Sequence, residues 1–212
     1  DDALRRPHPV RLAGIAALTG LVLWTHYWAM WFLGAAVAGL VLHGWRARRE
    51  GRTDAVRATV AVVGAMVVGG LLFLPWLPSL LYQGAHTGTP WARPVRPTEM
   101  VTNTLTDFGG GPTPEAMLLG WLLGVLVVIG LCGRAVDRFH VSLDVRTRPA
   151  GRPFAVLVAG TLGIACVVGY ATGATYATRY ASVLFPFVIV LAALGVDQFR
   201  SRPVAFAVLA VV

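Results

Sequence analysis

Long apolar runs alternate with short arginine clusters along almost the whole chain, and this alternation limits the possible folds severely. Hydrophobic residues make up 56% of the 212 positions and charged residues only 13%. A soluble domain carries about 25% charged residues, because it must cover its surface with groups that water solvates. Several runs here approach or exceed the ~20 residues that a helix needs to cross a bilayer. The sequence therefore predicts an all-α, polytopic transmembrane helix bundle.

All 18 basic residues are arginines, and their positions predict the topology. Cytoplasmic connections of membrane proteins carry an excess of basic residues, so we expect the arginine-rich loops in the cytoplasm. Three arginines fall outside these loops and are expected on the outer side: Arg93, Arg96 and Arg179. The net charge of +8 does not indicate nucleic-acid binding, because no basic stripe with interleaved aromatic residues is present.

The apolar runs and their flanks predict about six full crossings and a truncated seventh. One helix over residues 10–45 would measure roughly 54 Å, and both flanks are arginine-rich, so we expect a helical hairpin that reverses near residues 24–28. An outer, extracytoplasmic loop, residues 79–114, is expected to contain a short interfacial helix with Thr98 as its N-cap. The remaining crossings are expected at residues 58–77, 115–133, 153–170, 181–196 and, truncated, 203–212.

We expect residues 1–212 to form a single transmembrane domain of a multi-pass cell-membrane protein. The chain begins with Asp1 rather than Met, and its last apolar run is too short to span, so we expect a fragment of a longer protein. Cys132 and Cys166 lie inside apolar runs and are expected to be small apolar side chains. No metal-binding spacing or cofactor motif is found, so neither a metal nor a cofactor is predicted.

Arg179 and Tyr180 lie together in a short outer link between two predicted crossings. A guanidinium group there can bind a lipid phosphate through two hydrogen bonds, and the tyrosine hydroxyl can add a third. The alternative, which spacing alone favours, is an arginine that snorkels to the interface beside an interfacial tyrosine. Both interpretations stay open on the residues alone.

His26 and Tyr27 lie at the predicted tip of the first hairpin, where the imidazole can donate to a phosphate or a sugar hydroxyl. The alternative is an ordinary belt of interfacial aromatic residues around a tolerated histidine. Two carboxylates of the outer loop, Glu99 and Asp107, could serve acid–base chemistry. They stand eight positions apart on a predicted surface helix, however, and we expect them to be solvated.

Three short motifs, spread over most of the chain, carry a resemblance to a known family. They are residues 23–29 (Leu-Trp-Thr-His-Tyr-Trp-Ala), residues 73–78 (Phe-Leu-Pro-Trp-Leu-Pro) followed by Gln83 and residues 86–91, and Arg179-Tyr180 six residues before Pro186. Together they resemble the polyprenyl-phosphate-sugar-dependent glycosyltransferases. These are the multi-pass membrane enzymes similar to protein O-mannosyltransferases and the lipid A aminoarabinose transferase.

The resemblance implies the glycosyltransferase C superfold and sugar transfer from a polyprenyl phosphate to a hydroxyl of a protein, lipid or glycan at the outer membrane face. It implies that Arg179 binds the donor phosphate, that Tyr180 supports it, and that His26 and Tyr27 line the cavity. Arg93 and Arg96 complete the substrate-binding set. The family's catalytic base is an acidic residue of the first outer loop, so it is expected upstream of residue 1.

Two further classes of function stay open. A transporter or flippase for a lipid-linked or hydrophobic substrate would use the same bundle, although no Asp, Glu or Arg lies at mid-depth in the predicted crossings, where ion-coupled transporters place ionisable groups. A structural membrane subunit without catalysis is the third possibility. An acidic residue in an upstream outer loop would favour the enzyme over both.

Overall fold

The computed structural model describes residues 2–86, 94–173 and 176–211 and is 77% helical. Within these ranges, four helical stretches are long and apolar enough to cross a membrane: Thr53–His86, Pro114–Cys132, Arg152–Thr172 and Thr178–Val196. The prediction of a mostly helical chain with long apolar helices is therefore confirmed. Its residues group into two compact units, Asp1–Ala92 and Arg93–Val212.

The first unit is a group of helices joined by short turns. They are α1 (Asp2–Arg5), α2 (Pro9–Thr25), α3 (Ala29–Arg49), α4 (Thr53–Leu71) and α5 (Leu77–His86), with a 3-10 helix at Leu74–Trp76. Helices α2 and α3 both pack against α4. A Cβ at Gly69 of α4 would collide with the carbonyl oxygen of Ala16, so the glycine permits this close approach of two apolar helices.

A break between two helices lies at the predicted reversal near residues 24–28. Helix α2 ends at Thr25, His26 adopts an extended conformation, and α3 begins at Ala29. The chain past α4 differs from the predicted crossing at residues 58–77, which two prolines near its end, Pro75 and Pro78, were expected to stop. Pro78 lies in the first turn of α5, where a missing N–H group breaks no helical hydrogen bond, so residues 79–86 are helical rather than loop.

The second unit contains the remaining helices and a small sheet. They are α6 (Pro97–Phe108), α7 (Pro114–Cys132), β1 (Gly133–Ala135), β2 (Val141–Leu143), α8 (Arg152–Thr172), a 3-10 helix at Thr178–Leu184, α9 (Phe185–Val196) and α10 (Arg202–Val211). The core lies between α7 and α9, where Leu123 and Leu126 meet Val188 and Ala192. A Cβ at Gly195 would collide with the carbonyl oxygen of Leu126, so this crossing is also close.

Helix α6 confirms the short helix predicted within residues 79–114, with one correction at its start. Its N-cap is Arg96 rather than Thr98, because Pro97 takes the first helical position, which suits its fixed φ and missing N–H group. The side of α6 that carries Leu105 and Phe108 faces protein. Leu105 packs on Gly124 of α7, and the Phe108 ring centroid lies 5.1 Å from that of Phe185.

The connection between α7 and α8 contains a β-hairpin, which the all-α prediction did not include. Strands β1 and β2 pair antiparallel, with Gly133 opposite Leu143. The connection then folds back onto the helix ends, where Arg148 Nη1 donates to the carbonyl oxygens of Gly130 (3.4 Å) and Leu194 (3.2 Å). These carbonyls belong to the C-terminal turns of α7 and α9, which lack helical partners and carry partial negative charge.

Candidate functional site

In the second unit, a segment with several polar residues joins the apolar helices α8 and α9, and we call this segment the link. Helix α8 ends at Thr172, and Gly173 adopts the left-handed conformation (φ 70°) that glycine tolerates without strain. The chain re-enters a helical conformation at Thr178 and reaches α9 at Phe185. The link therefore presents its side chains at the ends of two membrane-length segments.

A cavity of about 410 Å³ lies between this link and α6. Its lining combines a guanidinium group, a carboxylate, an amide and hydroxyl groups; the lining residues are Asn103, Thr106, Asp107, Pro112, Tyr176, Ala177, Thr178 and Arg179. On α6, Thr106 and Asp107 follow Asn103 by three and four positions, so both lie on the same side of the helix as Asn103. The cavity therefore offers both charges and several neutral hydrogen-bonding groups to a ligand.

Two hydrogen bonds join the walls of the cavity. Thr178 Oγ1 donates to the carboxylate of Asp107. Thr104 Oγ1 lies 2.6 Å from Tyr176 Oη and 2.6 Å from the carbonyl oxygen of Met100. Because a carbonyl oxygen accepts only, Thr104 donates its single proton to Met100 and accepts from Tyr176. The position of the link relative to α6 thus depends on both pairs.

Tyr176 is the buried titratable group of this site. Burial raises the pKa of its phenol above the ordinary 10.0, and the nearby negative charge of Asp107 raises it further. Tyr176 therefore stays protonated at neutral pH and can keep donating to Thr104. The hydrogen bond holds the link against α6, and the link continues from Tyr176 to Arg179.

Arg179 itself is exposed at the rim of the cavity, and the half-buried Tyr180 lies beside it. Arg179 Nη2 lies 3.4 Å from Tyr180 Oη, and the guanidinium carbon is 5.1 Å from the centroid of the tyrosine ring. Guanidinium groups stack favourably on aromatic faces in this way. The pairing of Arg179 with Tyr180 holds the cation at the rim, with further N–H groups able to donate to a ligand.

The other arginines of the predicted substrate-binding set lie elsewhere. Arg93 falls outside the described residues. Arg96 is exposed at the N-cap of α6. The separation of eleven positions between Arg96 and Asp107 corresponds to about 16 Å along a helix, so Arg96 and the cavity lie toward opposite ends of α6. Its assignment as a substrate-binding residue stays a prediction.

His26 and Tyr27 lie in the first unit, in a cluster of aromatic rings at the hairpin tip. Trp76 Nε1 donates to Tyr27 Oη, and the Tyr27 and Phe73 ring centroids are 6.1 Å apart. Trp24 Nε1 donates to the carbonyl oxygen of Leu72 at 3.1 Å. The structure thus brings residues 24–27 and residues 72–76 together, which contain parts of two motifs of the family resemblance. Their role in substrate binding stays a prediction.

Most of the cavity residues were not predicted from the sequence. Asp107 was expected to be solvated, and it is exposed, but it also accepts from Thr178, 71 positions away. Asn103, Thr106 and Tyr176 gave no signal of their own, because hydroxyl and amide side chains are ordinary in a polar loop. Arg179 was the one cavity residue that the sequence pointed to, because it lies outside the arginine-rich segments that are expected in the cytoplasm.

Comparison with protein-family models, with curated proteins and with solved structures finds no match to this chain. The function is therefore inferred from the chemistry of the cavity. A cation at a membrane interface can bind an anion, and a carboxylate beside an amide can bind hydroxyl groups. A ligand that carries both a phosphate and hydroxyl groups fits this combination.

Proposed function

We propose that this chain is part of an integral membrane glycosyltransferase that moves a sugar from a polyprenyl-phosphate donor to an acceptor hydroxyl at the outer membrane face. The observation that carries the proposal is the cavity in which Arg179 lies with Asp107, Asn103 and Thr178 at the ends of long apolar helices. A lipid-linked sugar has its phosphate at the interface and its hydroxyl groups beyond it. The cavity offers a partner for each.

The proposal includes a topology of about six crossings and a truncated seventh, with the arginine-rich connections in the cytoplasm. Support comes from the four apolar stretches and from three further helices. Helices α2 and α3 lie at the predicted hairpin of residues 10–45, and α10 lies at the predicted truncated crossing of residues 203–212. On this map the link with Arg179 and the helix α6 belong to the outer side. The connection of α7 to α8, with its four arginines, and Arg152 at the start of α8 belong to the cytoplasmic side.

The proposed chemistry gives three of the cavity residues a role. The bond between the anomeric carbon and the phosphate oxygen breaks, and the polyprenyl phosphate leaves with the electron pair. The acceptor oxygen forms the new bond and loses its proton to a base, which by the family resemblance is an acidic residue of an outer loop. Arg179 would stabilise the charge on the leaving phosphate, and Asp107 and Asn103 would bind sugar hydroxyls.

Sugar turnover by the full-length protein carrying Arg179→Ala tests this proposal. Hydrogen bonds to charged groups contribute about 1.5–3 kcal/mol each, so turnover should fall roughly ten- to hundredfold. Arg57→Ala is the matched control, because Arg57 has an exposed side chain (83%) in the first unit. Wild-type turnover by the Arg179 variant would remove this residue from the site.

The same preparation separates the enzyme from a transporter or flippase. An enzyme consumes the donor and labels the acceptor hydroxyl with the sugar. A flippase moves the intact lipid-linked sugar across the bilayer of a proteoliposome and labels no acceptor. Translocation of intact donor without transfer would replace the proposed reaction with this second one.

A further inference from the structure

The connection between α7 and α8 exposes large apolar side chains between arginines. We call residues 133–146 the arginine hairpin. Its exposed apolar side chains are Val136 (58%), Phe139 (74%), Leu143 (63%) and Val145 (96%), and its exposed arginines are Arg134, Arg138 and Arg146. Apolar groups at such exposure are unfavourable in water, and large exposed patches rimmed by polar groups indicate an interaction surface.

The two carboxylates of the arginine hairpin are engaged in its own structure. Asp137 accepts from the backbone N–H groups of Phe139 (2.7 Å) and His140 (2.9 Å) and pairs with the His140 ring. The bond from the Phe139 N–H contributes most to lowering the pKa of Asp137, so this carboxylate stays charged within the turn. Asp144 accepts from the backbone N–H of Arg146 at 2.9 Å. Both carboxylates are exposed and keep their charge, but the guanidinium groups of Arg134, Arg138 and Arg146 outnumber them, so the arginine hairpin has a net positive charge.

An apolar groove of about 520 Å³ runs from helix α7 to the arginine hairpin. Its lining is almost wholly apolar and consists of Leu105, Trp121, Gly124, Val125, Val128, Ile129, Val141 and Leu143. The strand register places Val141 and Leu143 on one face of the sheet and Arg134 with Ser142 on the other. The apolar face of the hairpin is therefore continuous with the outward face of a membrane-length helix.

We propose that the groove and the arginine hairpin bind a phospholipid with an anionic headgroup, from the leaflet at the C-terminal end of α7. One acyl chain would lie in the groove between Trp121 and Leu143. Phe139 and Val136 would enter the boundary between headgroups and chains, and the arginines would bind the headgroup phosphate. The occupant is a lipid because the groove lies along a helix long enough to span a bilayer, where lipid chains are the surrounding solvent.

Quenching of a fluorophore at residue 139 tests this proposal, and it needs no catalytic activity. Full-length protein with Cys132→Ala, Cys166→Ala and Phe139→Cys carries an environment-sensitive label on its single remaining thiol within this chain. It is placed in nanodiscs of equal parts phosphatidylglycerol and phosphatidylcholine. In one sample only the phosphatidylglycerol chains are brominated, and in the other only the phosphatidylcholine chains are.

The proposal expects stronger quenching by brominated phosphatidylglycerol than by brominated phosphatidylcholine. Each arginine near an anionic leaflet strengthens binding to the anionic lipid roughly fivefold. The combined variant Arg134→Gln, Arg138→Gln, Arg146→Gln should therefore abolish the difference in quenching between the two lipids. The matched control replaces three exposed arginines of the first unit, Arg5, Arg6 and Arg57, and should retain the difference in quenching. Equal quenching by both lipids in the protein with its arginines intact, no quenching by either, or a difference that persists in the hairpin variant would overturn the proposal.

Discussion

The two units of the molecule differ in what surrounds a connection between their apolar helices. In the first unit, rings of Trp24, Tyr27, Phe73 and Trp76 fill the space around the turn between α2 and α3. In the second unit, polar side chains around the link between α8 and α9 leave a cavity of about 410 Å³. Filled aromatic packing serves stability, whereas an open polar cavity serves binding. The proposed function places ligand binding at the second link, and the role of His26 and Tyr27 at the first turn stays a prediction.

The largest expected effect is on the stability of the aromatic cluster. Phe73 is buried, with 7% of its surface exposed, and its ring contacts those of Trp24 and Tyr27. Truncation of a buried phenylalanine leaves a void, so Phe73→Ala should lower the free energy of unfolding by about 3–5 kcal/mol. Denaturation of the purified protein in detergent measures this.

The matched substitution in the second unit is Asn103→Ala. Asn103 is exposed at the cavity, so its removal should change the free energy of unfolding by ~0.5 kcal/mol or less while weakening substrate binding. A large loss of stability in the Asn103 variant, or none in the Phe73 variant, would remove the contrast between the two regions.

A smaller effect is expected at the hydrogen bond that holds the link to α6. Thr104→Val leaves the buried Tyr176 hydroxyl without its acceptor, which should cost about 1–3 kcal/mol. The double variant Thr104→Val, Tyr176→Phe removes both polar partners and should cost less than the sum of the two single variants. A double-mutant cycle measures this coupling. Strict additivity would show that the two hydroxyls do not interact.

The smallest effect is a dependence of stability on alkaline pH. Because burial raises the pKa of Tyr176 above 10.0, the folded state favours the protonated phenol. Below pH 10 the phenol is protonated in both states, and its contribution to stability is complete. As pH rises above 10 the unfolded chain ionises first, so stability falls. Thermal denaturation of the wild type and of Tyr176→Phe between pH 8 and 11 should show a steeper loss of stability with pH in the wild type. Parallel curves of stability against pH would contradict this prediction.

Much of the helical organisation could be predicted from the sequence, because apolar length and arginine position act locally. The reversal at His26 and the helix at residues 97–108 followed from such patterns. Two features did not. Pro78 begins a helix instead of stopping one, since its effect depends on its place in the turn, and the hairpin at residues 133–143 occupies a segment whose arginines indicated only a loop.

The site was less predictable than the helices. Arg179 could be singled out because the predicted topology puts it on the outer side, where few arginines are expected. The partners that surround it come from α6, such as Asp107, which meets Thr178 across 71 positions of sequence. No local pattern encodes that contact, because it depends on how α6 packs against α7 and on where α8 ends.

Binding of a polyprenyl phosphate without its sugar, measured by calorimetry on the full-length protein, tests the central assignment most directly. If Arg179 binds the donor phosphate, Arg179→Ala should raise the Kd roughly ten- to hundredfold, and Arg57→Ala should leave it unchanged. An unchanged Kd in the Arg179 variant would contradict the account, because the cavity would then have no part in holding the phosphate.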